Sequence, residues 1–402
     1  MPEANPGNGR AADFEGAQDL IRLQFRPRRV SVNFQGEIPK NWRQHFLSEN
    51  ARRLGLESEK AAGFYLGGYA VSIINNVRAS GAFEGQSFQQ ELNDALLEAE
   101  NWAFPRLDLT LTTKALQHLV KTSGLSFKDA MASMKAAGPA LGVRSLLIAT
   151  APTLLDALYS TMNMASLTTN VYANVLTETA EKVFITLYFN TPVAREIRHY
   201  LLGLTGDGSF FMAQRENLGL APTTTTHLYS SAHPLSSALS PSVLNQLPIQ
   251  IAISRETLKG VMPTANATEY ALIQTLFEPY FNESVRPTVF KRQLLTQLAH
   301  RRRAQQSMSL VDLAKENNLS QTSFKRRLSE QGSSFNEIKT AFLAAEASLL
   351  LGAGGASVPS DDLETVSNQL GYGSLSAFSR AFKQWYGISP LKFRQLSSAA
   401  KP

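Results

Sequence analysis

Cysteine is absent from the 402 residues. That excludes disulfides and thiolate-based zinc or redox sites, and makes a reducing cytosol the expected setting. Long apolar runs are absent too: the most apolar stretch, 141–158, is broken by Arg144 and Asp156, and no uncharged run reaches the ~18 residues that mark a membrane span. The amino terminus lacks the basic start and apolar block of a signal peptide, so residues 1–20 read as a disordered tail. Catalytic signatures are also missing. There is no H-E-x-x-H, no G-x-S-x-G, no phosphate-binding loop and no G-x-G-x-x-G, motifs through which metal, nucleophile and nucleotide chemistry are commonly built. The six histidines (His45, His118, His199, His227, His233 and His300) are scattered, none at close metal-ligand spacing. No catalytic residue, metal ligand or cofactor is assigned, and the chain is not read as an enzyme.

What is present is an uneven charge. The formal net charge is +6. Residues 286–402 hold 16 Lys and Arg against 8 Asp and Glu, a balance of +8, and the preceding 285 residues hold 23 against 25, a balance of −2. A basic terminal module attached to a near-neutral body points to a polyanion as partner of the terminal part.

Before that module the texture is mixed. Arg26, Arg28 and Arg29 alternate with Phe25 and Val30, as in an edge strand or arm. Gln89–Ala99 is rich in helix formers. From Arg106 to Asn282 the pattern is that of an α+β domain. Helices are expected at 113–123, 126–137, 195–202 and 269–280, and one after Thr153 carrying Leu154, Leu155, Leu158 and Met162 on one face. Strands are expected at 183–189 and 249–253, and a long Thr-, Ser- and Pro-rich loop at 222–241. The arginines 301–303 are assigned either to phosphate contact or to an exposed linker.

After Pro287 only helical patterns remain. In 309–332, Leu310, Leu313 and Ala314 form an apolar stripe, Asn317 and Asn318 tolerate the left-handed turn, Leu319 plugs it, and Ser320 caps a second helix. That helix turns Phe324 and Leu328 inward and leaves Gln321, Thr322, Lys325 and Arg326 outward. The arrangement recurs at 363–393. Asp361 and Glu364 have capping-box spacing, Leu363, Val366 and Leu370 form the stripe, Gly371 permits the turn, and Ser374 caps a helix with Phe378, Phe382 and Trp385 inward. Leu375, Ser376, Ala377 and Arg380 remain outward. Gly387 ends that helix, and Ser389-Pro390 starts another. Between the two sets, Phe335, Ile338, Phe342, Ala345 and Leu349 are spaced as one helix, ~25 Å long at 1.5 Å per residue. A rigid connector of this kind suits two reading heads in successive major grooves, ~34 Å apart. Gly352–Gly355 reads as a linker.

With Leu370-Gly371-Tyr372, Ser376, Phe378-Ser379-Arg380, Phe382-Lys383, Gly387, Ser389-Pro390 and Phe393-Arg394 in place, the terminal ~115 residues resemble the double helix-turn-helix of AraC/XylS-family bacterial transcription regulators. Val366-Ser367 stands where that pattern has Ile-Ala, Leu343 where it has Arg, and about four extra residues lengthen 352–360. The resemblance implies DNA contacts from Gln321, Thr322, Lys325, Arg326, Leu375, Ser376, Ala377 and Arg380, with Arg326 and Arg380 suited to guanine. The front part, through Leu141-Gly142, Ala151-Pro152-Thr153-Leu154 and Ala157-Leu158, resembles the arabinose-binding-type sensor domain of ornithine-utilisation-type regulators rather than a small β-barrel arm. This implies ligand sensing and dimerisation.

The expected organisation is therefore a tail (1–20), an α+β sensing or dimerising region (21–282, best defined over 106–282), a linker and first helix (283–306), and an all-α double helix-turn-helix domain (307–397). The expected partners are promoter DNA, a small apolar or amphipathic effector whose ligand residues the sequence does not assign, a second copy of the chain and RNA polymerase, in the cytoplasm and on the nucleoid, with no membrane. The alternatives are a front domain that only oligomerises or tethers a partner, and an enzyme fused to a DNA-binding domain.

Overall fold

The structure is a computed structural model that describes residues 64–67, 69–79, 81–100, 106–123, 143–194, 196–198, 201, 234–262, 264–277, 287–353 and 362–398. The expected tail, the Arg26–Arg29 segment, the helix at 126–137 and the first part of the Thr-rich loop lie outside these residues.

The front part begins with β1 (Tyr65–Gly67), α1 (Tyr69–Arg78), α2 (Gln89–Glu100), β2 (Arg106–Asp108), α3 (Leu109–Ser123), α4 (Val143–Thr150) and α5 (Leu154–Thr168). It continues with β3 (Tyr172–Glu178), β4 (Lys182–Phe189), α6 (Pro234–Ala238), α7 (Pro241–Leu244), β5 (Ile249–Ser254), α8 (Arg255–Leu258) and α9 (Ala267–Phe277). The helical part is α10 (Pro287–Arg303), α11 (Leu310–Glu316), α12 (Gln321–Glu330), α13 (Phe335–Ser348), a π-helical turn (Leu349–Ala353), α14 (Leu363–Gln369), α15 (Leu375–Tyr386) and α16 (Pro390–Ser398). The expected helix after Thr153 and the strands at 183–189 and 249–253 are found. The strand at 172–178 went unpredicted, and part of the expected loop is helical over Pro234–Ala238 and Pro241–Leu244.

Local chemistry starts these elements. Asp108 Oδ1 accepts the Thr110 and Leu111 amides at 2.7 and 3.1 Å and opens α3. Thr153 and Asp156 cap α5 reciprocally: the Asp156 amide donates to Thr153 Oγ1 at 3.2 Å, and the Thr153 amide donates to Asp156 Oδ2 at 3.1 Å. Strands β3, β4 and β5 form an antiparallel sheet in that order, with Asn174 opposite Leu187 and Ile185 opposite Ile251. Because side chains alternate across a strand, the sheet has two distinct faces. Val183, Ile185, Leu187, Ile249, Ile251 and Ile253 are buried in a core that runs on from the front part to Val366, Phe378 and Phe382, and on their side Asn174 Nδ2 donates to the Met162 carbonyl of α5 at 2.7 Å. Ala173, Val175 and Tyr188 occupy the opposite face. They share one core with Phe290, Leu294, Leu295 and Leu298 of α10 and with Leu313, Phe324 and Phe342. On this face Gln250 Nε2 donates to Thr186 Oγ1 at 2.9 Å, so the buried polar pair satisfies itself.

Helix α10 therefore carries the chain across the boundary expected at 283–306. One side of it covers the front sheet and the other supports the helical part. All described residues fall within one compact unit, and among them no helix is long and apolar enough to cross a membrane.

Candidate nucleic-acid interface

Two helix pairs follow α10, and the same local logic builds both. Ser309 Oγ accepts the Asp312 amide at 3.1 Å and starts α11. The Ser309 hydroxyl also donates to Asp312 Oδ2 at 2.6 Å, and hydrogen bonds from Ser309 and then Ser307 hold the Asp312 carboxyl below the usual carboxylate range. Leu313 and Ala314 are buried. Asn318 takes the left-handed conformation at φ 53°. The Asn317 side chain donates to the Leu313 carbonyl at 2.7 Å and to Gln297 Oε1 at 2.9 Å, which ties the turn to α10. Ser320 caps α12 by accepting the Ser323 amide at 3.1 Å. Phe324 and Leu328 are wholly buried, and Gln321, Thr322, Lys325 and Arg326 are exposed. Arg326 Nε lies 3.7 Å from Glu330 Oε1, with both side chains more than 60% exposed; solvent screens such a pair, so it leaves the guanidinium available. Arg327 instead covers the Phe290 ring at 5.5 Å.

In the second pair the cap is Asp362, not Asp361. Its Oδ1 accepts the Thr365 amide at 2.7 Å, and this bond lowers the carboxyl below its ordinary value. The capping-box spacing was read one residue early, because two adjacent aspartates compete for one role. Gly371 makes the turn at φ 79°, and the Tyr372 amide donates to the Ser367 carbonyl at 3.0 Å. Ser374 Oγ accepts the Ala377 amide at 3.2 Å and starts α15. Phe378 and Phe382 are wholly buried, with Trp385 half-buried beside them. Leu375, Ser376 and Arg380 are exposed. Ala377 departs from expectation: it is half-buried, since one turn before Arg380 the helix is still close to its own core. Arg380 Nη1 donates to Ser376 Oγ at 3.1 Å, which aligns the guanidinium along the outward face. Among the outward residues of α15 there is no carboxylate to compete with a polyanion.

Helix α13 joins the pairs. Ser334 and Glu337 form a full capping box at its start, a signal the sequence contained but that went unused. Phe342 is wholly buried, and the Tyr386 hydroxyl at the end of α15 donates to the Ala344 carbonyl at 2.7 Å. Leu343, where the resemblance expects Arg, packs half-buried against both apolar cores; a charge there would lose its water without gaining a partner.

The arginine triplet 301–303 is not an exposed linker: all three residues are half-buried in or at the end of α10. Arg301 pairs with Glu316 at 2.8 Å, and Arg302 Nε forms an ion pair with Glu346 Oε2 that is not aligned as a hydrogen bond. Arg303 lies over the Phe184 ring at 4.8 Å and donates to the Glu178 carbonyl at 3.2 Å. Glu346 is buried and also accepts the Tyr188 hydroxyl at 2.6 Å. Burial, then the field and hydrogen bond of Glu346, push the Tyr188 hydroxyl well above the ordinary tyrosine range, so it remains the donor. Sheet, α10 and connector are thus locked by one Tyr–Glu–Arg junction. Sequence reasoning missed it, although a signal existed: Glu346 is the single charged residue between Thr340 and Ser360.

Comparison with known proteins places this geometry. A model described as a helix-turn-helix domain matches residues 313–396. An uncharacterized HTH-type transcriptional regulator of Mycobacterium bovis and another of Mycobacterium tuberculosis are each 35% identical over 85 residues, which is 21% of this chain and 23% of each relative. The match thus spans about a quarter of the length of these relatives. Among solved structures, a DNA-binding transcriptional dual regulator from Escherichia coli K-12 aligns at 21% identity and TM-score 0.25, over 27% of this chain and 92% of its own. The transcriptional regulator CdpR from Pseudomonas aeruginosa aligns at 15% identity and TM-score 0.31, over 81% and 98%. The matched residues run from within α11, through α12, the connector and the second pair, into α16, and over residues 313–396 the chain accordingly carries a helix-turn-helix domain.

Proposed function

We propose that this protein is a sequence-specific DNA-binding transcription regulator in which α11–α12 and α14–α15 are two helix-turn-helix units and α12 and α15 read adjacent major grooves. One observation carries the reading. Each second helix buries a full aromatic or aliphatic stripe and leaves outward the same kind of face, a short polar residue followed by an arginine: Thr322 with Arg326, and Ser376 with Arg380. A helix of a soluble protein needs only any polar face to be stable. A pair of such faces free of buried partners, on a connector of fixed length, matches what groove reading requires. Gln321, Lys325 and Leu375 complete the contact surface, and the half-buried Ala377 contributes its methyl at the edge. The front region, in this reading, senses an effector or dimerises, as the resemblance to ornithine-utilisation-type regulators implies.

Footprinting the full chain on the DNA upstream of its own gene tests this. Two protected segments on one face of the duplex, centred about one helical turn (~34 Å) apart, are expected. No protection at low salt, or protection that follows α12 alone, would overturn the two-headed reading. A front domain that only oligomerises has one observation on its side: Leu272 and Leu276, one turn apart on α9, are 59% and 60% exposed. Sedimentation of a Leu272→Ser, Leu276→Ser variant, together with melting of the wild type against a metabolite panel, separates the readings: loss of the dimer in the variant with no stabilisation of the wild type by any metabolite favours mere oligomerisation.

A further inference from the structure

A cleft of about 640 Å³ opens where the end of β4 and the segment 243–248 meet α10, α13 and the end of α15. That volume lies inside the range of small-molecule sites. Its apolar lining comes from both halves of the molecule: Tyr188 and Phe189 from the sheet, Phe342 from the connector, and Trp385 from α15. The lining also carries one cation, Lys291, and one carboxylate, Glu337. Lys291 is half-buried on the cleft wall, and among the described residues its ammonium makes no hydrogen bond or ion pair. Burial lowers its pKa, and the field of Glu337 opposes this. Glu337 Oε2 already accepts the Ser334 amide at 2.7 Å, so a carboxylate brought to the Lys291 ammonium would give it a charge-assisted hydrogen bond that no described residue makes.

The geometry points to this cleft as the binding site for a small monocarboxylate with an aromatic or aliphatic body, its carboxylate on Lys291 and its body against Phe189 and Trp385. This deepens the effector-sensing part of the proposed function and rests on it. Such a ligand touches the sheet and the end of the second reading helix together. It also abuts Tyr188, whose hydroxyl holds Glu346 on the connector. The ligand therefore biases the relative placement of front region and reading heads if it binds the two arrangements unequally.

Calorimetric titration of the full chain with 4-phenylbutyrate and with the neutral 4-phenylbutyramide tests the assignment. The acid is expected to bind about tenfold or more tightly than the amide. Lys291→Gln should erase that preference, Lys291→Arg should keep it, and Ala341→Trp, which fills an exposed lining position, should remove binding of both. Melting of each variant without ligand checks that it folds. Equal affinity for acid and amide, no heat from the acid at millimolar concentration, or an unaltered preference in Lys291→Gln overturns the proposal. A metabolite panel run on the wild type and on Lys291→Gln distinguishes the levels of failure. Equal stabilisation of both proteins leaves effector sensing standing and removes the cleft. Stabilisation of neither removes both, without touching the footprint of the unliganded protein.

Discussion

Arg380 and Tyr188 show two uses of one polar side chain. Arg380 is exposed and positioned by Ser376, so its substitution should leave the fold alone and change recognition. Arg380→Ala is expected to weaken specific DNA binding by about 1–3 kcal/mol and to relax choice at one base position. Fluorescence anisotropy against a set of single-base variants measures both, and unchanged affinity and selectivity would remove Arg380 from the interface. Tyr188 is buried and donates to a charged acceptor, so Tyr188→Phe should cost about 1.5–3 kcal/mol of stability by urea unfolding. It also carries a pH signature. The folded-state pKa is raised, so the unfolded chain gives up this proton first. The stabilisation is whole below the ordinary value of 10.0 and is lost as pH rises toward the folded value. The urea midpoint of the wild type should fall more steeply above pH 10 than that of Tyr188→Phe.

At the scale of elements, caps and turns decide where the reading helices begin. Ser374 satisfies an otherwise orphan amide of α15, so Ser374→Ala should cost about 0.5–2 kcal/mol and weaken DNA binding through the second unit alone. Gly371 sits at φ 79° with open space where a Cβ would stand. Gly371→Ala therefore meets no clash, yet forces a left-handed backbone worth about 1–2 kcal/mol against it. Chemical denaturation of the two variants checks these figures. The Asp362 cap adds an acid-side expectation. Its folded pKa is lowered, so its support of α14 is present above the ordinary aspartate range and is lost as pH falls through the lowered value. Asp362→Asn, which retains the acceptor oxygen, should flatten that loss. These elements were legible because their signals are local: Ser320, Ser374, Gly371 and Gly387 each act within four residues. Strand β3 was not legible in the same way. Its segment, YANVLTE, mixes small and polar residues because one face packs on α10 and the other holds Asn174 against α5, which erases the clean alternation seen in β5.

At the scale of the whole molecule, the front sheet and the first helix pair share one core through α10. A shared core unfolds cooperatively. Calorimetry should therefore show the front sheet and α11–α12 melting in one transition, and two transitions with separate signals from these parts would contradict the shared core. Specific binding should fall steeply with salt, as counterions released from phosphates supply much of the affinity. The excess of Lys and Arg after residue 286 does not all serve that purpose: Arg301 and Arg302 are committed to Glu316 and Glu346, so their replacement should alter stability more than the salt slope.

The sequence by itself determined the helix pairs, the Ser320 and Ser374 caps and the outward residues other than Ala377, because a capped amphipathic helix is specified by side chains three and four positions apart. It also placed the surplus of positive charge. Only the tertiary structure decided what the arginines 301–303 do, why Leu343 replaces a charge, and that Glu346 joins a tyrosine 158 residues earlier in the chain. Those facts depend on which surfaces meet, and burial between distant segments leaves no periodicity for a reader of the chain to find.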